Sequence, residues 1–145
     1  MIGLIQRVSR SSVVIDGQTV AAIGRGITLL FGVEKNDGHA QADRLLQRVL
    51  NYRIFSDPQG RMNCSLLDKG YELLIVPQFT LPADTRKGNR PGFSPAAPPE
   101  LGSKLFDYFC TEAEKQLGQR NCGVFGADMQ VHLINDGPVT FWLQQ

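Results

Sequence analysis

Two short segments of this 145-residue chain could do chemistry through their backbone alone. The first, residues 74–81, reads Leu-Ile-Val-Pro-Gln-Phe-Thr-Leu. Its first three residues favour a β-strand, and Pro77 has no N–H for a sheet ladder, so we expect regular pairing to weaken there. The amides of Gln78, Phe79 and Thr80 would then face a pocket and could donate to a developing oxyanion. The alternative interpretation is a buried strand with an edge proline.

The second segment, residues 136–140, reads Asp-Gly-Pro-Val-Thr and precedes a strand-like apolar stretch. Glycine removes the side chain that would crowd a sharp turn, and an X-Pro bond reaches the cis state at a cost of about 0.5–1 kcal/mol. The sequence leaves the state of the Gly137-Pro138 bond open. A rigid edge of backbone carbonyls here would be chiral and could inspect the configuration of a small ligand. The alternative is an ordinary turn before a terminal strand.

Conventional catalytic groups are few. The two histidines, His39 near a helix start and His132 on an alternating strand, occupy positions that favour surface or packing roles. Thr80 has no base near it in the sequence, as a threonine nucleophile would require. No nucleophile elbow, phosphate-binding loop or metal-ligand spacing is present. We therefore expect neither covalent catalysis nor a metal ion or cofactor.

Bulk composition restricts the partners and the compartment. Three cysteines without a CxxC spacing, Cys64, Cys110 and Cys122, suggest a reducing cytoplasm, and a hydrolase that uses Cys64 or Cys110 is a weaker alternative. No apolar run is long enough for a membrane helix. A net charge of +1 argues against a general polyanion binder, so RNA contacts should be local. The best candidate is the basic patch of residues 86–90, Arg-Lys-Gly-Asn-Arg, although a solvated loop would have the same composition.

The elements that would position both segments are short strands and two helices in one domain, residues 1–145. Asp16-Gly17 predicts a tight hairpin turn, and residues 27–33 predict a buried strand. Apolar spacing predicts a first helix with Asp37 as a possible N-cap, and its inner face consists of Ala42, Leu45, Leu46, Val49 and Leu50.

A second helix is predicted between Pro98-Pro99 and Gly118. Further strands are expected at residues 71–76, 129–135 and 139–143. Because strands dominate and the helices are far apart in the sequence, parallel βαβ winding is disfavoured. An α+β fold with a mostly antiparallel, barrel-like sheet is favoured instead.

In both of these segments, residues 74–81 and 136–140, the chain closely resembles the D-aminoacyl-tRNA deacylase family, the D-Tyr-tRNA deacylases. The resemblance runs from end to end and is carried by residues 1–8, 32–35, 52–57, 74–81 and 135–143. It implies a homodimer that hydrolyses D-aminoacyl-tRNA in chiral proofreading during translation. Because glycine has no Cβ for a backbone edge to reject, we expect Gly-tRNA to be hydrolysed as well. The implied partner is the acceptor end of aminoacyl-tRNA, with no DNA and no membrane involved.

The resemblance also implies roles for individual residues. Catalysis would use Gln78, Phe79 and Thr80, with assistance from the 2′-hydroxyl of the terminal ribose. Gly137 and Pro138 of one subunit would select chirality in the pocket of the other. Three further residues would form the substrate site. Phe125 and Met129 would bind the terminal adenosine, and Arg7 would brace the Gly-Pro edge.

One position departs from the family pattern. Pro77 stands where the family usually has serine, and a related branch that edits L-alanyl-tRNA also has Pro-Gln there, with a smaller residue in place of Phe79. Editing of L-Ala-tRNA is therefore one alternative function. A different class of alternative is a non-catalytic dimeric module that binds RNA 3′ ends, with Phe79 and Phe125 stacking on bases.

Overall fold

The computed structural model describes residues 1–145. Seven strands and three helices follow one another as β1 (Ile2–Ile15), β2 (Gln18–Ile23), β3 (Gly26–Gly32), α1 (His39–Asn51), β4 (Phe55–Ser56), β5 (Met62–Cys64), α2 (Leu66–Lys69), β6 (Glu72–Pro77), α3 (Pro99–Leu117) and β7 (Gln130–Gln144). None of the helices is both long and apolar enough to cross a membrane.

The long strand β1 organises a curled, mostly antiparallel sheet. Its first half pairs with β3 and its second half with β2, while β7 pairs along almost its whole length on the other side. Beyond β3 lies β6, which pairs with β3 in parallel from Gly26↔Glu72 to Phe31↔Pro77. The segment that begins at Pro77 therefore leaves the sheet at the end of β6.

Helices α1 and α3 cover one face of this sheet because each has an apolar stripe. The buried residues of α1 are the five predicted from spacing: Ala42, Leu45, Leu46, Val49 and Leu50. Helix α3 begins after Pro98 and ends at Gly118, whose φ of 71° suits glycine, and the Gly118 amide donates to the Glu114 carbonyl at 2.8 Å. Phe31 of β3 packs against Phe109 of α3 with ring centroids 4.5 Å apart, which ties the helix layer to the strand beside the candidate site.

The α+β prediction is confirmed, and so is the hairpin at Asp16-Gly17, where both residues have positive φ. Four details differ. Gly38, not Asp37, caps α1. The predicted strands 129–135 and 139–143 form one strand, β7, and the pair β3–β6 is parallel despite the general expectation. A third, four-residue helix, α2, begins after Ser65.

Asp37 has another role, which explains why it does not cap α1. Its carboxylate accepts hydrogen bonds from the Glu34 amide at 2.7 Å and from the amino group of Met1 at 2.7 Å. The same amino group donates to Glu34 Oε2 at 2.6 Å. Burial opposes ionisation of Glu34, but hydrogen bonds from Met1 and from the Gln144 side chain outweigh it and hold the pKa of Glu34 below its usual value.

Candidate functional site

The backbone turns sharply after Pro77 and leaves two consecutive amides unpaired. The Gln78 amide still donates to the Phe31 carbonyl at 2.8 Å. The prediction that this amide faces the pocket and is free for a ligand is therefore wrong. The amides of Phe79 and Thr80 donate to no protein acceptor. The turn itself is closed by the Leu81 amide, which donates to the Gln78 carbonyl at 3.2 Å. Unpaired neighbouring N–H groups are the kind of donors that stabilise an oxyanion, although Thr80 itself does not line the cavity that lies beside the turn.

The side chain of Gln78 holds the hydroxyl of Thr80. Gln78 Nε2 donates to Thr80 Oγ1 at 2.5 Å. The Thr80 hydroxyl has no hydrogen bond with a histidine, carboxylate or lysine that could remove its proton. Both side chains are therefore suited to positioning and poorly suited to nucleophilic attack.

Gly32 on β3 allows this turn to lie close to the sheet. A Cβ at Gly32 would lie 2.9 Å from Leu81 Cβ, 3.1 Å from Pro82 Cδ and 3.2 Å from the Gln78 carbonyl oxygen. Those distances are shorter than normal carbon contacts, so any other residue would displace the turn. Gly32 thus fixes the position of the two free amides relative to β3.

A cavity of about 470 Å³ lies beside the turn. Four of the predicted site residues line it: Gln78, Phe79, Phe125 and Met129. The rest of its wall is mainly apolar and comes from the ends of β3 and β6, the start of α3 and the segment before β7. An apolar cleft with a few polar groups at one side is typical of a small-ligand site.

Two glycines shape the wall of this cavity. A Cβ at Gly102 of α3 would lie 3.1 Å from the Phe125 ring, and one at Gly123 would lie 2.8 Å from Met129 Sδ. Met129 Sδ also accepts a hydrogen bond from the Val124 amide at 3.4 Å. Phe125 and Met129 are therefore seated by close backbone packing, which their apolar character alone did not reveal.

Gly137 and Pro138 lie outside this cavity. Gln6 of β1 pairs with Thr140 and Val8 pairs with Asn135, so residues 136–139 bulge from β7 opposite Arg7. Arg7 pairs with Ile27 of β3, and Ile27 pairs with Leu73, four residues before Pro77 on β6. The bulge and the cavity are thus at separate places in one chain. The Gly137-Pro138 peptide bond is cis.

Arg7 braces the bulge. Its Nε donates to the Asp136 carbonyl at 2.9 Å and its Nη1 donates to the Ile54 carbonyl at 2.6 Å, while the Asp136 carboxylate lies 3.6 Å from Nε. The side chain is only 13% exposed. A guanidinium held by two carbonyls fixes the backbone on both sides of it. Arg7 also lies outside the cavity, so its contacts fit the bracing role that the resemblance implied.

The remaining candidates from the sequence lie elsewhere. Neither histidine lines the cavity, and Cys64 lies at the end of β5. Cys110 is buried in α3, where a hydrogen bond with Cys122 and burial raise the pKa of its thiol. A thiol with a raised pKa in the core is a poor nucleophile.

Comparison with known proteins fits the geometry of this site. The family model described as D-Tyr-tRNA(Tyr) deacylase matches residues 4–144. The chain belongs to this family. The match includes the turn after Pro77, the cavity and the Gly137-Pro138 bulge, and the family resemblance inferred from the sequence is confirmed.

Individual relatives of the deacylase family support the assignment. A D-aminoacyl-tRNA deacylase of Pseudomonas putida is 58% identical over 144 residues, which is 99% of each chain. One of Dichelobacter nodosus is 54% identical over 143 residues, again 99% of each. A solved structure titled c-Myc DNA Unwinding Element Binding Protein is 40% identical, with a TM-score of 0.95 and coverage of 100% of this chain and 99% of that one.

A more distant solved structure shows the same fold. It is titled a probable eukaryotic D-amino acid tRNA deacylase and is 18% identical to this chain. The TM-score is 0.82, with coverage of 99% of this chain and 98% of that one. The deacylase fold is thus kept at low sequence identity.

The basic patch of this family member, residues 86–90, lies on the loop that follows the turn. Asp84 and Gly92 form an antiparallel bridge at its base. The Asp84 carboxylate accepts two hydrogen bonds from the Arg86 guanidinium at 2.8 Å, and these bonds hold the pKa of Asp84 well below its usual range. Lys87 and Arg90 are exposed and take part in no ion pair.

Proposed function

We propose that this protein hydrolyses the ester bond of D-aminoacyl-tRNA and releases the free D-amino acid and tRNA. The function is chiral proofreading in translation, carried out in the cytoplasm. Family membership supports the reaction type. The single observation in the structure that carries the chemistry is the pair of unpaired amides at Phe79 and Thr80, beside a cavity lined by Phe79 and Gln78.

The reaction needs a water molecule, an oxyanion site and a proton acceptor. Water attacks the ester carbonyl, and the carbonyl oxygen becomes an oxyanion that accepts hydrogen bonds from the Phe79 and Thr80 amides. The bond between the carbonyl carbon and the ribose 3′-oxygen then breaks. The neighbouring 2′-hydroxyl relays a proton from the attacking water to the leaving 3′-oxygen, which balances the step without a protein base.

Substrate binding uses the rest of the cavity. The terminal adenosine lies against Phe125 and Met129, an aromatic ring and a polarisable thioether that suit a flat base. Gln78 orients the Thr80 hydroxyl and thereby the turn that holds both amides. Fixing the ester next to its oxyanion donors supplies much of the rate enhancement.

Chirality is selected by Gly137 and Pro138 of a second copy of the chain. The argument for a homodimer is that residues 136–139 lie outside the cavity of their own chain, whereas the chemistry needs a chiral edge beside the ester. The edge rejects L-substrates because an L-residue places its Cβ against the backbone carbonyls. Arg7 holds the edge through the Asp136 carbonyl.

Incubation of the purified protein with D-Tyr-tRNA and L-Tyr-tRNA tests the proposal. We expect cleavage of the D-ester alone, unchanged after thiol alkylation and in the presence of a chelator. Binding of both substrates without cleavage would instead indicate the RNA 3′-end module. Loss of activity on alkylation would indicate a cysteine hydrolase.

Pro77 raises one alternative to the exclusion of L-substrates, namely cleavage of L-Ala-tRNA. Its Cδ lies against Gly123, next to Met129, so the ring forms part of the cavity wall. A Pro77→Ser variant tests this contribution. If the proline admits L-Ala, the variant should lose cleavage of L-Ala-tRNA and keep that of D-Ala-tRNA.

A further inference from the structure

Two exposed aromatic rings lie side by side, and one of them, Phe79, lines the cavity. Phe79 is 62% exposed and Phe93 is 44% exposed. Their ring centroids are 5.5 Å apart and their planes are inclined by 46°. Rings at this separation are in contact, so no third ring fits between them. A flat ligand would therefore stack on the outer faces of this aromatic pair.

The loop that carries Phe93 is fixed at both ends. The Asp84 amide donates to the Gly92 carbonyl at 2.7 Å, and the Gly92 amide returns a bond to the Asp84 carbonyl at 2.9 Å. Just beyond, the Ala97 amide donates to the Val33 carbonyl at 2.9 Å, which attaches the chain to the end of β3. Phe93 is therefore held in place next to Phe79, not carried on a free loop.

The loop that precedes Phe93 is rich in positive charge, and two of its three cations take part in no ion pair. Residues 85–93 contain three cations and no acid. Arg86 is engaged by Asp84, whereas Lys87 and Arg90 take part in no ion pair. Exposed aromatic rings combined with free cations are typical of surfaces that bind single-stranded nucleic acid, with bases on the rings and phosphates on the cations.

We propose that the Phe79–Phe93 pair stacks the base of the nucleotide that precedes the terminal adenosine, while Lys87 and Arg90 bind the adjoining phosphates. This inference rests on the proposed function, which places the terminal adenosine in the cavity. Phe79 lines that cavity and contacts Phe93, so the chain of the nucleic acid leaves the cavity over this pair. Stacking accepts any base, so the surface adds affinity without selecting among tRNAs.

Two minimal substrates test the aromatic pair: the D-tyrosyl ester of adenosine and that of the dinucleotide cytidylyl-adenosine. For the unaltered protein we expect kcat/KM to be roughly 5- to 100-fold higher for the dinucleotide. Phe93→Ala should remove most of that gain, and Phe93→Trp should restore it. The adenosine ester does not extend to Phe93, so its rate is the internal reference in each variant.

A dinucleotide with an abasic first position separates base from phosphate. The ester of this abasic dinucleotide should lose the part of the kcat/KM increase that depends on Phe93. It should keep the part that comes from the phosphate and weakens with salt. Lys87→Gln and Arg90→Gln should remove the salt-dependent part and leave the effect of the base.

Three results would overturn the inference. The first is a Phe93→Ala variant that keeps the full dinucleotide gain, and the second is one that slows both esters equally. The third is a Phe93→Ala variant that no longer forms the homodimer in light scattering, which would mean that the second copy covers the rings. Failure to cleave any D-ester would count against the proposed function alone. In that case the affinities for non-hydrolysable 3′-amide analogues of the adenosine and dinucleotide esters would still measure how much Phe93 contributes to binding.

Discussion

Gly32→Ala should slow catalysis without touching a reacting group. The added Cβ would meet Leu81 Cβ at 2.9 Å, Pro82 Cδ at 3.1 Å and the Gln78 carbonyl oxygen at 3.2 Å. Two of these three atoms belong to the backbone or to a proline ring, so a side-chain rotation cannot relieve the contact. The turn with the Phe79 and Thr80 amides must move away from β3 instead.

The size of the effect follows from that displacement. Overpacking of this kind costs typically about 1–3 kcal/mol of stability, and each kcal/mol lowers the melting temperature of a domain of this size by roughly 2–4 °C. Misplacing catalytic groups by about 1 Å costs on the order of 100-fold in rate. A shift of a few tenths of an ångström should therefore lower the single-turnover rate by roughly 4- to 10-fold.

The assay is single-turnover hydrolysis of D-Tyr-tRNA well below the melting temperature, together with thermal unfolding. Gly24→Ala is the matched control, because its Cβ would meet only the carboxylate of the Glu72 side chain at 3.3 Å, which a side-chain rotation can relieve. A Gly32→Ala protein with lowered stability but an unchanged rate would show that the position of the turn does not control the chemistry.

Four further predictions concern the substrate, the turn and the ion pair at Met1. Thr80→Ala should retain measurable single-turnover activity, with a loss of about 1–3 kcal/mol in transition-state stabilisation, whereas loss of a true nucleophile would abolish detectable cleavage. A D-aminoacyl-tRNA without the 2′-hydroxyl should bind almost as well but hydrolyse far more slowly, and unchanged cleavage would mean that the protein supplies a base. Gly-tRNA should be cleaved at an enzyme concentration that leaves L-Ala-tRNA intact, because glycine has no Cβ to be rejected, and equal protection of both would contradict selection by collision. The pKa of Glu34 is lowered in the folded protein, so the contribution of the Glu34 carboxylate to stability is present above pH 4.5, its ordinary pKa, and is lost as the pH falls through the folded pKa. Melting curves should therefore show that Glu34→Gln lowers the melting temperature at pH 7 and that the gap between variant and unaltered protein shrinks in acid.

Periodicity predicted the elements with strong local signals. The five buried residues of α1 and the limits of α3 at Pro98-Pro99 and Gly118 follow from apolar spacing and terminal residues. The short helix α2 also had a readable signal, a capping box between Ser65 and Asp68, and it was missed because four residues are too few for periodicity. Asp37 was misassigned because its carboxylate is engaged by the amino group of Met1, a contact 36 residues away in the sequence.

The site was only partly predictable for a related reason. Backbone amides are present at every residue, so the sequence could locate the break at Pro77 but not which N–H groups stay unpaired beyond it. The Gln78 amide is engaged because Phe31 of β3 pairs with Pro77 in the parallel register of β3 and β6, which brings the Phe31 carbonyl to the next amide along the chain. Gly32 and Gly123 had no sequence signal either, because close approach to Leu81 or Met129 exists only once the chain is folded.

When backbone groups catalyse a reaction, their positions depend on how the chain packs and not on side-chain conformations. A catalytic side chain can be carried by many backbones, but an amide moves only with its chain, so every contact that fixes the turn affects the rate. In this fold the contacts are the Gln78–Phe31 hydrogen bond, the close approach at Gly32 and the Gln78–Thr80 bond. The Gly137-Pro138 bulge is constrained in the same way by Arg7. Substitutions that disturb these contacts should therefore affect kcat more than substitution of the exposed Phe79 side chain does.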